Sequence, residues 1–292
     1  MAKFDLLEAA LVGSASALGY NWIYDRELLN SIKDDKQLLF APIDHELYKQ
    51  AKHAFDVYPN YSVGDVDFMA EMMLVLHRYL MNTDIPTPKG FFKAVYEHIS
   101  DNGPYDGYIE GYGKDLIKRY EDNDITLPTP YIDKQLIGPA IYLVIHEHFK
   151  EDRIKTGLRY AHVFTSYKHT KHFMLLFKQL LNDLDNGISM KETLQQNIKN
   201  APASYQPSLT KALTDIDIDS FIKEYSGVAC GLDQAVPLIF YILAHNDTTA
   251  AALKQNIILG GASCARGIFI SALMNKVDPL KTKYKKNLKI TL

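Results

Sequence analysis

The sequence has little cysteine and no long hydrophobic run, and each absence excludes a class of protein. Only Cys230 and Cys264 occur among 292 residues, so no disulfide framework is encoded and a reducing compartment is expected. No apolar run approaches the ~20 residues that a membrane-spanning helix needs. Asp5 and Glu8 interrupt the N-terminal apolar stretch too early for a signal peptide. These features predict a soluble, cytoplasmic protein with no membrane partner.

The sequence also lacks a strong charge of either sign. Its net charge is −3 and its pI is close to 6.4, so it has no basic footprint and nucleic acid is not an expected partner. An apolar fraction of 47% and a charged fraction of 23% are typical of a globular protein with a large core. The basic run within 279–292 is expected to be a solvated surface tail.

Clean strand alternation and hairpin signals are missing, whereas apolar residues recur at helical spacing in many segments. The clearest of these predicted helices cover 4–19, 68–81, 138–149, 236–244 and 268–274. No linker divides the chain. The sequence therefore predicts an all-α protein that forms one domain over residues 1–292.

A glycine pair precedes the last predicted core helix. Gly260 and Gly261 are followed by small or polar residues that include Ser263 and Arg266. Backbone N–H groups at such a helix N-terminus can receive an anion, which predicts a ligand-binding role for these four residues. The alternative is a close-packed turn between two core helices, because most glycine turns are structural.

An aromatic cluster follows the first predicted helix and holds the only tryptophan of the chain. Trp22, Tyr24 and Asp25 come shortly after Gly19. Such rings can line a pocket and stack on a flat ligand, which makes these three residues candidate ligand contacts. Aromatic clusters also form ordinary core, and this alternative stays open.

Two carboxylates stand before the apolar helix predicted over 68–81. Asp65 and Asp67 are favoured there by the positive end of the helix dipole. One interpretation is structural, with Asp65 as the helix N-cap. The other is catalytic, with Asp65 and Asp67 as general base or metal ligand.

Several of these segments, in this order, resemble the ADP-ribosylglycohydrolase family, and most of all its branch that includes lens-crystallin relatives. The family has a small-residue helix, then a Trp-Ile-Tyr-Asp stretch, an acidic motif before a long apolar helix, an apolar helix with a proline, a Thr-Gln stretch, and two glycine-rich motifs near the C-terminus. The similar segments here are 15–19, 21–25, 63–66, 138–139, 165–169, 227–233 and 260–267.

The resemblance implies an all-α fold and a cleft in which carboxylates hold two magnesium ions. Ser16, Ala262 and Cys264 stand here where the family has aspartates. One or two carboxylates and a serine are too few ligands for two such ions. The expected cofactor is therefore at most a single, weakly held magnesium ion at Asp65.

The resemblance implies a hydrolase of N- or O-glycosidic ADP-ribosyl or related bonds, acting on a small-molecule or ADP-ribosylated substrate. Two alternatives follow from the missing aspartates. The chain could be an inactive relative that binds a nucleotide-like ligand through Trp22, Tyr24, Arg266 and the glycine pair. It could also be a purely structural descendant.

Overall fold

Residues 4–290 and 292 are described by the computed structural model, and they are organised by helices alone. Residues 1–3 of the N-terminal segment and residue 291 of the basic tail lie outside the described residues. Within the described ranges the backbone forms no strand, and β-pairing is limited to isolated antiparallel bridges between Ile23 and Ala54 and between Gln135 and Gly231. The predicted all-α, single-domain fold is confirmed.

The helices are as follows in chain order. The first eight are α1 (Asp5–Ala17), α2 (Arg26–Ile32), α3 (His45–Gln50), α4 (Phe68–Met81), α5 (Pro88–Ile99), α6 (Gly111–Glu121), α7 (Ile137–His148) and α8 (Arg153–Ala161). The others are α9 (Thr170–Asp185), α10 (Met190–Asn197), α11 (Gln206–Ala212), α12 (Ile218–Tyr225), α13 (Leu232–Ala244), α14 (Thr249–Ile258), α15 (Ser263–Met274) and α16 (Thr282–Lys285). Short 3₁₀ turns cover Leu18–Tyr20 and Ile198–Asn200.

Many of these helices begin at a side chain that caps the first turn. In each case a carboxylate or hydroxyl accepts a hydrogen bond from the backbone N–H three residues on, which satisfies a donor that the helix itself leaves unpaired. The capping residues are Asp25, Asp44, Asp67, Thr87, Ser189, Asp217 and Thr248. Local sequence thus fixes where the helices start.

The cap of α4 corrects one prediction. Asp67 accepts from the N–H of Ala70 at 3.1 Å, whereas Asp65 accepts from the N–H of Ser62 at 2.8 Å. Asp65 therefore closes the turn that precedes the helix. The interpretation of Asp65 as the N-cap is wrong by two residues, because the Asp65 carboxylate is used in the turn with Ser62. That turn contains Gly64, at φ +96°.

The centre of the fold is the pair α1 and α15, whose side chains are almost all buried. Gly13 and Gly267 allow the two backbones to touch: a Cβ atom on Gly13 would lie 2.0 Å from the carbonyl oxygen of Gly267. Helices α13 and α14 pack against α15, while α7 packs against α4, α8 and α9. Within the described chain, no helix is both long and apolar enough to cross a bilayer.

Candidate active site

The first and last motifs meet in a layer of backbone hydrogen bonds at one end of α1 and α15. The N–H of Trp22 donates to the carbonyl of Gly261 at 2.8 Å, and the N–H of Gly261 donates to the carbonyl of Ile23 at 2.7 Å. The N–H of Ala262 donates to the carbonyl of Val228 at 3.0 Å. These bonds join three loops into one layer. The first and last of these loops are more than 200 residues apart in the sequence.

The glycine pair is held by close approach of its neighbours. Gly260 and Gly261 adopt φ values of +73° and +68°, which glycine populates without steric cost. A Cβ atom on Gly260 would lie 2.6 Å from the carbonyl oxygen of Ile23, and one on Gly261 would lie 2.1 Å from that of Val228. These contacts support the close-packed turn rather than the open cradle as the role of the pair.

Arg266 lies beneath this turn and is 0% exposed. Its Nε donates to Asn256 Oδ1 at 2.9 Å, and its terminal nitrogens donate to the carbonyls of Val228 at 2.7 Å and Gly260 at 2.5 Å. Burial lowers its pKa from 12.5 to about 10. The guanidinium thus holds three segments together from inside, and Ser263, also 0% exposed, lies beside it in the core.

The predicted aromatic contacts form a half-buried wall. The ring of Trp22 stands edge-on to Tyr108 at a centroid distance of 5.2 Å, on a backbone with φ +65°. Tyr24 stacks on His53 at 4.8 Å, and burial raises its pKa to about 12. Asp25 is used elsewhere: it caps α2 and accepts from the N–H groups of Leu28 and Lys52, and these hydrogen bonds, that from Lys52 first, lower its pKa.

The two aspartates before α4 lie in different surroundings. Asp65 is 27% exposed and pairs with Lys289 Nζ at 2.8 Å. Lys289 also donates to the hydroxyl of Ser62, and its N–H donates to the carbonyl of Gly64 at 3.2 Å. Asp65 therefore ties the C-terminal segment to the loop before α4.

Asp67 is instead buried at 3% exposure. Ser14 Oγ donates to Asp67 Oδ1 at 2.9 Å, and the backbone N–H of Asp67 donates back to Ser14 Oγ at 3.1 Å. Burial raises the pKa of Asp67 from 3.8 to about 6, and the hydrogen bonds from Ala70 and Ser14 partly oppose that rise. The hydrogen bonds from Ser14 and Ala70 both end on Oδ1 of this carboxylate.

Two further carboxylates, Glu110 and Asp133, lie near Asp67, and neither was predicted from the sequence. They are 6% and 5% exposed. The pKa of Glu110 is raised well above its ordinary value, first by burial and then by the charges of Asp67 and Asp133. A hydrogen bond with Gln135 partly opposes this rise. Burial also raises the pKa of Asp133, which accepts from Gln135 N at 2.7 Å and from Gln135 Nε2 at 3.2 Å. We call Asp67, Glu110 and Asp133 the acidic cluster.

The sequence indicates only weakly that Glu110 and Asp133 belong to a site. Glu110 ends a glycine- and tyrosine-rich loop that has the composition of a surface segment, and Asp133 lies in a second loop before α7. The one usable sign is that Glu110 directly precedes α6, where negative charge is favoured. Only the fold brings these loops to Asp67.

The residues do not fit the two magnesium ions that the family resemblance implies. Magnesium needs several oxygen ligands in octahedral geometry. Asp65 is engaged by Lys289, while Ala262 and Cys264 are buried, and the thiol of Cys264 donates to the carbonyl of Ser14 at 3.3 Å. In residues 4–290 no group of three or more His, Cys, Asp or Glu side chains is arranged to hold a metal ion.

A cavity of about 590 Å³ is lined in part by Ile132 and Lys134, the two sequence neighbours of Asp133. Its lining includes Lys134 and Lys168, together with His169 and Tyr205, and we call it the lysine cavity. Lys134 stands between Asp133 and Gln135, and the bridge from Gln135 to Gly231 fixes this segment beside the loop of Val228. Lys134 is thus a sequence neighbour of Asp133, but the lining of this cavity does not include Asp67, Glu110 or Asp133.

The all-helical fold of the chain is shared with a solved structure. A solved structure described as an ADP-ribosylglycohydrolase-related protein complex aligns with this chain at a TM-score of 0.65, over 98% of this chain and 93% of that one, with 10% sequence identity. No protein-family model matches the sequence, and no curated protein sequence matches it. The shared feature is therefore the fold.

Proposed function

We propose that this protein hydrolyses the N- or O-glycosidic bond of an ADP-ribosyl or related substrate, with the acidic cluster as its acid–base centre. The observation that carries the proposal is the buried carboxyl of Glu110, whose pKa is raised well above its ordinary value by burial and by neighbouring carboxylates. A carboxyl that keeps its proton near neutral pH can protonate the leaving group of a glycoside.

Asp67 supplies the second carboxyl that glycoside hydrolysis requires. With a pKa of about 6, Asp67 is mostly ionised at pH 7, while burial and the charges of Asp67 and Asp133 raise the pKa of Glu110 well above its ordinary value. Such a difference between neighbouring carboxyls separates the roles of acid and base. The Asp67 carboxylate then accepts a proton from the attacking water, and Glu110 donates a proton to the leaving nitrogen or oxygen.

In this proposal the substrate is recognised by Trp22, by Tyr24 and by the lysine cavity. Trp22 and Tyr24 present half-buried rings that suit a ribose or a base. Lys134 and Lys168 of the lysine cavity provide the positive charge that a diphosphate needs. This combination of rings, cations and carboxyls favours an ADP-ribosyl group over an uncharged sugar.

The test is an assay of the purified protein with ADP-ribosylated arginine and serine peptides, with and without magnesium. Glu110→Gln and Asp67→Asn are each expected to lower the rate by about a hundredfold or more. Asp65→Asn, the matched control outside the cluster, is expected to keep the wild-type rate, and magnesium is expected to leave the rates unchanged. Equal background signal from all four proteins would overturn the proposal for these substrates.

A second candidate is a relative that binds ADP-ribose without turnover. It is favoured by the late motif, in which Ala262 and Cys264 are buried and Arg266 is used to hold a turn. Calorimetry with ADP-ribose separates the two: saturable binding to a protein that gives no hydrolysis supports this candidate, and it predicts that Glu110→Gln binds as tightly as the wild type.

A further inference from the structure

A second basic cavity lies away from the acidic cluster, between α2, the loop that follows it, α14 and α16. It has a volume of about 520 Å³ and contains four lysines against one acid, Asp34. The lysines are Lys33, Lys36, Lys254 and Lys283, and we call the cavity the basic groove. It shares no lining residue with the lysine cavity.

Most of this positive charge is not neutralised by the protein. Lys36 pairs with Asp44 at 2.6 Å. Across the described residues, Lys33, Lys254 and Lys283 have no carboxylate partner within the 4.0 Å that defines an ion pair. Three uncompensated ammonium groups around one concavity repel each other and raise the local potential. In a chain of net charge −3, this concentration of charge favours an anionic ligand.

The wall that carries Lys283 is anchored to the core. Lys285, two residues on, pairs with Asp5 at 3.1 Å and with Glu8 at 2.5 Å, both on α1. The ring of Tyr284 stacks on that of Phe40 at 6.1 Å. These contacts hold α16 over the groove. Ligand binding therefore does not have to pay the entropic cost of ordering the segment that carries Lys283.

We propose that the basic groove binds a soluble small molecule that carries two or more phosphate groups. The volume is that of a small-molecule site and too small for a folded partner. An ammonium group acts as a point charge, which suits the dense negative charge of a phosphate. One face of the Tyr284 ring meets Phe40, and Lys283 Nζ lies 5.0 Å from the ring centre, so the groove offers phosphate recognition more than stacking of a base.

The test is calorimetric titration with pyrophosphate, tripolyphosphate, ATP and AMP at low ionic strength. The double variant Lys33→Gln/Lys254→Gln is expected to bind tripolyphosphate about tenfold more weakly, because two charge contacts are lost. The matched control is Lys118→Gln/Lys191→Gln, two exposed lysines that line neither cavity, and it should keep the wild-type affinity. Both groove lysines are exposed, so the variant should melt at the same temperature as the wild type.

The outcomes are distinct. Affinity that rises from AMP to pyrophosphate and tripolyphosphate, and that falls with added salt, supports the proposal. Tighter binding of ATP than of tripolyphosphate, lost in the groove variant, supports it and adds a nucleoside contact. Absence of binding at millimolar tripolyphosphate, or loss of binding in the control variant alone, overturns it. Hydrolase activity is not measured, so failure here leaves the acid–base centre untouched.

Discussion

Ser14 and Asp67 exchange hydrogen bonds: the serine hydroxyl donates to Asp67 Oδ1 at 2.9 Å, and the aspartate N–H donates back to the same hydroxyl at 3.1 Å. This pair joins α1 to the start of α4 and buries a carboxyl whose pKa rises to about 6. Burial raises this pKa, and the hydrogen bond from Ser14 partly opposes the rise.

Replacing Asp67 with asparagine should change how stability depends on pH. The pKa of Asp67 is higher in the folded protein than its ordinary 3.8, so the folded state binds the extra proton and loses stability as pH rises from about 4 to about 6. Asparagine keeps the cap and removes this loss. The stability of Asp67→Asn relative to wild type should grow by about 2–3 kcal/mol across that window.

Urea denaturation at pH 4, 5, 6 and 7 measures this difference. The exposed Asp101→Asn serves as control and should follow the wild-type curve at every pH. A difference between Asp67→Asn and wild type that stays constant from pH 4 to pH 7 would contradict the assignment.

Gly13→Ala should destabilise the fold severely. The added methyl would lie 2.0 Å from the carbonyl oxygen of Gly267, and two packed helix backbones cannot separate without opening the core. We expect a loss of about 3 kcal/mol or more in the free energy of unfolding. Gly157→Ala is the matched control in α8, where the methyl would lie 3.0 Å from a ring atom of Tyr142; a change within about 1 kcal/mol is expected. Equal losses in both variants would refute the close packing of α1 on α15.

Arg266 is expected to stabilise the fold, so replacing it with a shorter side chain should lower the free energy of unfolding. Arg266→Ala leaves a cavity and buried carbonyls without donors, which costs about 3–5 kcal/mol in unfolding free energy. Arg266→Lys should recover little of this, because one ammonium cannot reach Val228, Asn256 and Gly260 together. Guanidinium denaturation of both variants decides the question. A lysine variant of wild-type stability that has lost ligand binding would instead assign Arg266 to the ligand.

The ion pair of Asp65 and Lys289 should contribute little to the free energy of unfolding. The side chains are 27% and 48% exposed, so solvent screens the attraction and the coupling energy should be under about 1 kcal/mol. A double-mutant cycle with Asp65→Asn and Lys289→Met measures it. If Asp65→Asn abolished hydrolysis while leaving stability unchanged, the general-base role would return to Asp65.

Much of the fold could be predicted from local sequence. The apolar spacing over 68–81 predicted a helix, and the structure confirms it as Phe68–Met81. Gly260 and Gly261 were correctly predicted to precede the last core helix, although that helix begins earlier than predicted, at Ser263. Such features follow from helical periodicity and from turn residues, which act over a few neighbouring positions.

The composition of the site was decided by the tertiary structure. Asp65 and Asp67 are two residues apart, yet one pairs with Lys289 at the surface and the other is buried against Ser14. Glu110 reaches the cluster from a loop that has the composition of a surface segment. The physical reason is that burial and hydrogen-bond partners set the pKa and role of a carboxyl, and both come from residues far away in the chain. Sequence therefore determined an all-helical chain with acids before its helices, and only packing decided which of those acids share a cluster.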